Sequence, residues 1–239
     1  MIYETPKDWR DLQNKVARIF SEIGYESTIE ESIELVRGKT KVDVLVRNKT
    51  IQPNLLYLCE CKHWNTNIPQ SVVKSFKSDM TDSGAHLGFI ISKIGFQSGC
   101  YDLAKKTNIL LFNWNEFQEK IFDEWYDSVS KKANSNSIDL RDYTDNFDTH
   151  TFNKIKKLSK IDQKKVKKLQ KDFLPLALVS GLLYSGIFTR TILSKSELKL
   201  LIPENGKLKE IKFDYYGDYF NCLQKWCEEG IDLFNEILD

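Results

Sequence analysis

The sequence predicts an α/β fold: a mixed central sheet flanked by helices, followed by a smaller and mostly α-helical C-terminal part. Three observations support this prediction. Over the first 130 residues, segments with apolar residues three and four positions apart alternate with short apolar runs. Two of these runs, HLGFIIS at 86–92 and NILLFNW at 108–114, are apolar over most of their length, as strands covered on both faces are. Beyond residue 150, helical periodicity dominates and lysines are frequent.

The first predicted elements are a helix and a β-hairpin. Asp8 is suited to cap a helix that Gly24 would end, and apolar residues recur between them at helical spacing. These residues are Trp9, Leu12, Val16, Ile19, Phe20 and Ile23. Residues 26–36 and the β-branched run KVDVLV at 41–46 flank Gly38, so they predict two antiparallel strands joined by a turn.

Strands and helices then alternate. The predicted elements are, in order, a strand LYLCECK at 56–62, a helix starting at Pro69, a strand at 86–92, a helix at 96–106, a strand at 108–114 and an amphipathic helix at 115–129. A repeated strand, helix, strand order implies parallel neighbours joined by right-handed crossovers. The sheet would therefore combine an antiparallel hairpin with parallel strands.

A domain boundary is expected after residue 130. The polar segment 131–150 lacks clear periodicity, so we predict a linker there. It would separate an α/β domain at 1–130 from a smaller domain at 151–239, which would serve nucleic-acid binding, oligomerisation or partner docking. The smaller domain would hold a buried helix at 173–189, a hairpin around Asn205 and a terminal helix.

Composition is that of a folded protein rather than a disordered or collagen-like chain, with 41% apolar and 29% charged residues. The five cysteines and three histidines do not form a zinc-ligand pattern, and the N-terminus has no apolar signal region. We therefore predict free thiols in a cytoplasmic protein. The longest uncharged run, residues 173–189, has 17 residues, whereas a membrane span needs about 20. A buried helix is favoured over a membrane-spanning one.

Three charged residues stand in two of the predicted strands. Asp43 lies between two valines, and Glu60 and Lys62 are two positions apart, so this pair projects from one face of its strand. Adjacent strands lie about 4.8 Å apart, which lets side chains on a shared face converge. Because a buried charge is costly unless it is paired or binds a metal, we expect the three groups to meet.

Phosphodiester hydrolysis gives a chemical reason for such a trio. Mg²⁺ prefers oxygen ligands from one or two carboxylates together with water and substrate phosphate, and it activates water for attack. We predict that Asp43 and Glu60 bind Mg²⁺, or Mn²⁺ in its place, with the backbone carbonyl of Cys61 as a further ligand. Lys62 would orient or deprotonate the attacking water, and its pKa is expected to fall beside a cation. The alternative is a Glu60–Lys62 salt bridge at a strand end, with Asp43 a surface residue or a turn former.

The stretch from Trp9 to Phe117 resembles the Mrr-like, type IV restriction-endonuclease branch of the PD-(D/E)xK nuclease superfamily. The resemblance rests on GYE at 24–26, KVDVLV at 41–46, LCECKHW at 58–64 and AHLGFIISKIGFQSGCYDLAKKTNILLFNWNEF at 85–117. It implies a restriction-endonuclease-like fold and a metal site built from the strand aspartate and the E-x-K pair, here Asp43, Glu60 and Lys62. It also implies 5′-phosphate products and a role in restriction or phage defence, in a homodimer or a larger complex.

Two glutamines are candidate accessory residues on the same resemblance. Many relatives carry a glutamate on the first helix that reaches the metal or the scissile phosphate; the comparable region here offers Gln13, with Glu22 and Glu34 as weaker candidates. Relatives often carry a glutamine after the metal strand or on the following helix, and Gln70 would fill that position. The side chain of glutamine is neutral and binds a cation less strongly than the carboxylate of a glutamate. Gln13 therefore departs from the family's pattern.

The charge distribution indicates where nucleic acid would bind. Residues 1–130 hold 16 basic and 18 acidic residues, whereas residues 154–171 hold nine lysines and one aspartate. Lysines that neutralise phosphates release counterions and drive salt-sensitive binding. The residues predicted to contact DNA are Lys164, Lys165, Lys167 and Lys168, with Lys74 and Lys77 beside the cleft. The alternative is a solvated helix whose lysines cover an apolar stripe.

Together these features predict a cytoplasmic, Mg²⁺-dependent endodeoxyribonuclease that uses no small-molecule cofactor and acts on DNA. One rival is a nucleic-acid-binding or scaffold subunit of a defence complex that does not cut, which the glutamine at position 13 favours. A second rival is an RNA nuclease. A third is a membrane-associated effector that uses residues 173–189.

Overall fold

The computed structural model describes residues 1–36, 38–184 and 197–238, and contacts divide the chain into two units. The first unit comprises Met1 and Tyr3–Ser128, and the second comprises Ile2 and the chain from Val129 onward. The elements of the first unit are α1 (Trp9–Ile23), β1 (Glu26–Leu35), β2 (Gly38–Asn48), β3 (Leu55–Lys62), α2 (Gln70–Ser83), β4 (Leu87–Ser92), α3 (Ser98–Ala104), β5 (Ile109–Asn113) and the first part of α4 (Trp114–Asn136).

The five strands of the first unit form one sheet in the order β1-β2-β3-β4-β5. The pairs β1–β2 and β2–β3 are antiparallel, whereas β3–β4 and β4–β5 are parallel. Helix α2 connects the first parallel pair and α3 connects the second. The predicted mixed sheet, with a hairpin followed by two parallel crossovers, is therefore confirmed.

Helix α1 begins and ends where its capping residues stand. The Asp8 carboxylate accepts a hydrogen bond from Asp11 N at 2.8 Å, and Gly24 follows the helix with φ +103°. Of the predicted apolar stripe, Leu12, Val16, Ile19, Phe20 and Ile23 are buried. The inclusion of Trp9 in this stripe is wrong: it is 49% exposed, and its ring packs under the Arg10 guanidinium instead.

Apolar side chains cover both faces at the centre of the sheet. On one face, Leu58 and Ile90 pack with Phe76 and Met80 of α2. The opposite face carries a group of aromatic rings with centroids 5.6–6.5 Å apart. These rings belong to Phe20, Tyr57, Phe89 and Phe117. This double burial explains why β4 is apolar over most of its length.

The second unit is mostly helical, as predicted. Its elements are the rest of α4, then α5 (Ile138–Thr144), α6 (Thr149–Lys157), α7 (Lys160–Tyr184), β6 (Leu198–Glu204), β7 (Lys207–Phe213) and α8 (Tyr216–Leu238). The predicted hairpin forms between β6 and β7, and Asn205 and Gly206 turn the chain with φ +52° and +76°.

The segment 131–150 differs from the predicted irregular linker. Residues 131–136 continue α4 and residues 138–144 form α5, because Ala133 and Leu140 bury their side chains in the second unit. The contacts divide the chain between Ser128 and Val129. A functional division into domains at 1–130 and 151–239 stays a prediction.

The lysine-rich segment 154–171 lies in two helices. Helix α6 ends at Lys157 and α7 begins at Lys160, where the Ser159 hydroxyl accepts a hydrogen bond from Asp162 N at 3.1 Å. Helix α7 then continues without interruption into the apolar segment predicted at 173–189. Residues 185–189 of that prediction lie outside the described residues. Within the described part of the chain, no helix has the length and apolar character to cross a membrane.

Close packing between α2 and β4 gives a stability prediction. A Cβ added at Gly88 would lie 2.6 Å from Phe76 Cε1, and the ring is only 5% exposed. We expect Gly88→Ala to lower the free energy of unfolding by about 1–3 kcal/mol through overpacking, measured by urea denaturation. Gly99→Ala is the control: its Cβ would meet the side chain of Gln70, which is exposed and free to move, so stability is expected to hold or rise. Equal stability of the Gly88 variant and the wild type would contradict the packing argument.

Candidate active site

Asp43 and Glu60 are brought together by the pairing of β2 with β3. The last residue pair of this antiparallel ladder is Val44 with Cys59, so the next positions along the two strands are Asp43 and Glu60. Beyond this pair, the hydrogen bond between the strands is to a side chain rather than to the backbone: the N–H of Cys61 donates to Asp43 Oδ2 at 2.7 Å. The strand pairing therefore places the two carboxylates side by side.

Gln13 of α1 holds the other oxygen of Asp43. Its Nε2 donates to Asp43 Oδ1 at 2.8 Å, and the glutamine side chain is nearly inaccessible, since the residue is 3% exposed. Asp43 is therefore held on one oxygen by the helix and on the other by the backbone of β3. Two hydrogen bonds on separate oxygens restrict rotation of the carboxylate and fix where its remaining lone pairs point.

Lys62 completes the cluster. Its ammonium group forms an ion pair with Glu60 Oε1 and lies 3.7 Å from Asp43 Oδ2. The side chains of the three residues are each only 20–24% exposed. The structure thus brings together the three residues on which the sequence prediction depends.

Burial and neighbouring charges shift the pKa values of this cluster. Burial raises the pKa of Glu60; the charges of Asp43 and Asp79 raise it further, and Lys62 opposes them. For Lys62, burial favours the neutral amine, but the charge and hydrogen bond of Glu60 and the charge of Asp43 outweigh it, so its pKa is raised. The predicted fall in the Lys62 pKa concerns a site that holds a cation and stays a prediction.

The donors in the cluster fit a hard divalent cation. Gln13 Oε1 is buried with no hydrogen-bond partner, which leaves an unsatisfied oxygen on the residue that also holds Asp43. Among the described residues, no three His, Cys, Asp and Glu side chains form a metal-binding group. Mg²⁺ does not require one, since it usually takes one or two carboxylates and keeps several waters. Asp43, Glu60, the Cys61 carbonyl and Gln13 Oε1 would offer oxygen ligands of that kind.

The other predicted accessory residues lie elsewhere. Gln70 is exposed, and its side chain lies over Gly99 of α3. Glu22 accepts hydrogen bonds from Tyr3 Oη at 2.5 Å and Trp125 Nε1 at 2.6 Å, so its carboxylate is used in packing. Glu34 is exposed and forms an ion pair at 3.3 Å with Lys39, its register partner on β2. Of these candidates, only Gln13 contacts the cluster.

The lysines predicted to bind nucleic acid are all exposed. Lys74 and Lys77 lie on α2, and Lys164, Lys165, Lys167 and Lys168 lie on α7. Lys165 is paired with Asp162 at 2.8 Å, so part of its charge is already balanced. DNA contact by these six residues stays a prediction.

Two features near the cluster of Asp43, Glu60 and Lys62 were not predicted from the sequence. Asp79 of α2 is close enough to raise the pKa of Glu60; its position three residues after the buried Phe76 was a signal that it faces inward. Glu30, in the register position opposite Asp43, has φ +55° and is absent from the ladder. A positive φ in a glutamate has no local sequence signal.

Fold and site together define a class of protein. A mixed sheet presents an aspartate on one strand and an E-x-K pair on the next, with a glutamine from the first helix, as expected for a metal-dependent nuclease of the PD-(D/E)xK type. Residues 7–121 match the family model of the Mrr catalytic domain, described as a restriction endonuclease. This match over residues 7–121 confirms the resemblance drawn from the motifs.

Other comparisons add little to this result. A solved structure described as a protein of unknown function, AF1548, is 18% identical to the chain and has a TM-score of 0.40. The similarity covers 45% of this chain and 59% of that protein, less than two thirds of its length. A likeness at this level supports no conclusion about function. No curated protein matches the chain.

The contact between Gln13 and Asp43 predicts a metal-dependent gain in stability for Gln13→Glu. The change replaces a donor to Asp43 by a second buried carboxylate, so without a cation the free energy of unfolding should fall by roughly 1–3 kcal/mol. A divalent cation that binds both carboxylates should restore it, measured as a larger rise in Tm with added Mg²⁺ than in the wild type.

Gln118→Glu is the matched control for this experiment. Gln118 is 1% exposed and lies on α4, where its Oε1 accepts the Tyr3 N–H at 2.7 Å. The control variant also buries a carboxylate, but next to a backbone donor rather than next to Asp43. An equal response of the two variants to Mg²⁺ would show that Gln13 does not face a cation site.

Proposed function

We propose that the chain is a divalent-cation-dependent endonuclease that hydrolyses phosphodiester bonds of DNA in restriction or phage defence. One observation carries the proposal: Asp43, Glu60 and Lys62 meet at the end of paired strands, and Asp43 is held there by Gln13 and Cys61 N–H. The match of residues 7–121 to a restriction-endonuclease family model supports it. The proposed setting is the cytoplasm, in a homodimer or a larger defence complex.

The residues of the site have distinct proposed roles. Asp43, Glu60 and the Cys61 carbonyl would hold Mg²⁺ or Mn²⁺, which supplies an acidified water and neutralises phosphate charge when bound. Lys62 would then leave its pairing with Glu60 in part and donate to the attacking water or to a phosphate oxygen. Gln13 keeps the Asp43 carboxylate in place through the reaction. No other cofactor is proposed.

A second function has a specific observation in its favour. Gln13 stands where many relatives carry a glutamate, so the site has one negative charge fewer with which to hold a cation. A chain of this kind would bind nucleic acid and serve as a scaffold subunit without cutting it. An RNA nuclease would use the same site. Comparing DNA and RNA substrates in the cleavage experiment below distinguishes it from a DNA nuclease.

The cleavage experiment uses purified full-length protein with plasmid DNA, single-stranded DNA and RNA, in Mg²⁺, Mn²⁺ or EDTA. We expect DNA cleavage with either cation and none with EDTA. Asp43→Asn and Lys62→Met should each lower the rate by about 100-fold or more, because each removes a charge that acts on the transition state. Products should carry 5′-phosphates, checked by direct ligation.

Lys49→Ala is the control for removing a lysine that forms an ion pair. Lys49 follows β2, is exposed and pairs with Glu26 at 2.5 Å, six positions along the chain from Asp43. This variant should cut at the wild-type rate. Equal cutting by all variants would indicate a contaminating nuclease, and metal-independent binding without cleavage would favour the scaffold function.

Helix α7 supplies a candidate surface for the DNA backbone. Five lysines are spaced three or four positions apart, so they share the face of the helix opposite its buried side chains Val166, Phe173 and Leu176. The five are Lys160, Lys164, Lys167, Lys168 and Lys171, and all are exposed. Aligned, exposed ammonium groups suit a row of phosphates better than they suit the covering of an apolar stripe.

The salt dependence of DNA binding tests this surface. Each lost phosphate contact should reduce the slope of log K against log salt by about 0.9. We expect that reduction for Lys164→Ala, measured by fluorescence anisotropy on duplex DNA in EDTA. Lys165→Ala removes the same charge from a lysine that is off the stripe and paired with Asp162, so its slope should change less. Identical slopes for the two variants would rule out the stripe as the contact surface.

A further inference from the structure

Two loops at the carboxyl ends of parallel strands are joined next to Lys62. The first, residues 63–69, follows β3, and the second, residues 93–97, follows β4; we call them together the rim. The backbone hydrogen bonds that join them are Lys93 N to Lys62 O, Ile68 N to Gly95 O and Gln97 N to Ile68 O, each 3.0 Å long. The rim is therefore one connected surface.

Side chains hold the rim from both sides. The Lys93 ammonium donates to Asn65 Oδ1 at 2.8 Å across the two loops. Below them, Ile68 and Phe96 are buried in the apolar cluster under α2 and α3, at 0% and 7% exposure. A loop pair tied through its backbone and anchored in the core presents its outer side chains without a large ordering cost on binding.

Large apolar side chains point outward from this held surface. Trp64 is 43% exposed and Ile94 is 49% exposed. Beside them on α3, Tyr101 is 46% exposed, with its ring packed edge-on against Phe96 at 5.9 Å. Single exposed apolar residues are common on protein surfaces. Here three of them lie on or beside the rim, and Trp64 follows Lys62 by two residues, a backbone reach of at most about 7 Å.

We propose that Trp64 is a stacking platform for an unpaired nucleobase next to the phosphate that is cut. An indole face stacks on any base, and the polar groups of Asn65 and Lys93 beside it suit the sugar and phosphate of the same nucleotide. A base inside a duplex has no free face to offer. This inference rests on the proposed function and specifies its substrate: a single strand, or a duplex opened locally at the point of cleavage.

Binding to strands that carry 2-aminopurine tests the platform without any need for cleavage. Full-length protein in EDTA is titrated into labelled single-stranded DNA, single-stranded RNA and duplex DNA, and fluorescence quenching by stacking is followed. We expect quenching and tight binding with a single strand. Trp64→Ala should weaken single-strand binding by about 5- to 100-fold and abolish the quenching, with a smaller effect on duplex binding.

Two further variants separate stacking from general apolar contact. Trp64→Phe keeps an aromatic face and should retain most of the affinity, whereas Trp64→Leu keeps apolar bulk only and should behave like Trp64→Ala. Ile51→Ala is the control: Ile51 is 48% exposed and lies before the start of β3, whereas Lys62 is the last residue of that strand, which spans roughly 23 Å. This variant should bind like the wild type.

The outcomes distinguish failure of the platform from failure of the nuclease. Wild-type affinity and quenching in Trp64→Ala, or no binding of single strands by the wild type, would overturn the platform even if the protein cuts duplex DNA. Quenching lost in Trp64→Ala by a protein that never cuts would retain the platform and reject the nuclease. A preference for RNA over DNA in the same assay would assign the unpaired base to RNA.

Discussion

The carboxylate of Asp43 connects the first helix to the middle of the sheet. One of its oxygens accepts the side-chain amide of Gln13 and the other accepts the backbone N–H of Cys61. Both donors come from elements that are far apart in sequence, so the contact forms only when α1 has packed on the paired strands. Gln13 Nε2, the Cys61 N–H and the Lys62 ammonium group all lie around this carboxylate, at 2.7–3.7 Å from its oxygens.

The apolar sheet makes this arrangement stable. Strands β3 and β4 are covered on both faces, and their polar residues are displaced to the ends, where Glu60 and Lys62 stand. Partial burial there strengthens the interactions among the charges. Burial raises the pKa of Glu60, whereas the neighbouring charges of Glu60 and Asp43 outweigh burial and raise the pKa of Lys62. Two carboxylates and one ammonium group leave the cluster with a net negative charge, which would attract a divalent cation.

Charge and chemistry are separated along the chain. The first unit carries the candidate catalytic cluster but has slightly more acidic than basic residues, whereas helix α7 of the second unit carries a row of exposed lysines. Sequence-independent attraction to phosphates and the cutting of a particular bond make different physical demands. The first needs many exposed charges, and the second needs a few held groups. The cluster around Asp43 is of the second kind, since Gln13 and the Cys61 N–H hold the Asp43 carboxylate in place.

Local signals in the sequence determined the helix that Asp8 and Gly24 bound, the order of strands, and the identities of Asp43, Glu60 and Lys62. Caps and side-chain periods act over a few residues, so they can be recognised without the fold. Tertiary structure decided that Gln13 rather than Glu22 meets Asp43, that Asp79 approaches Glu60, and that α4 extends into the segment expected to be a linker. These contacts depend on how a helix packs on a sheet and on which apolar side chains find a partner, and both are set by residues distant in the chain.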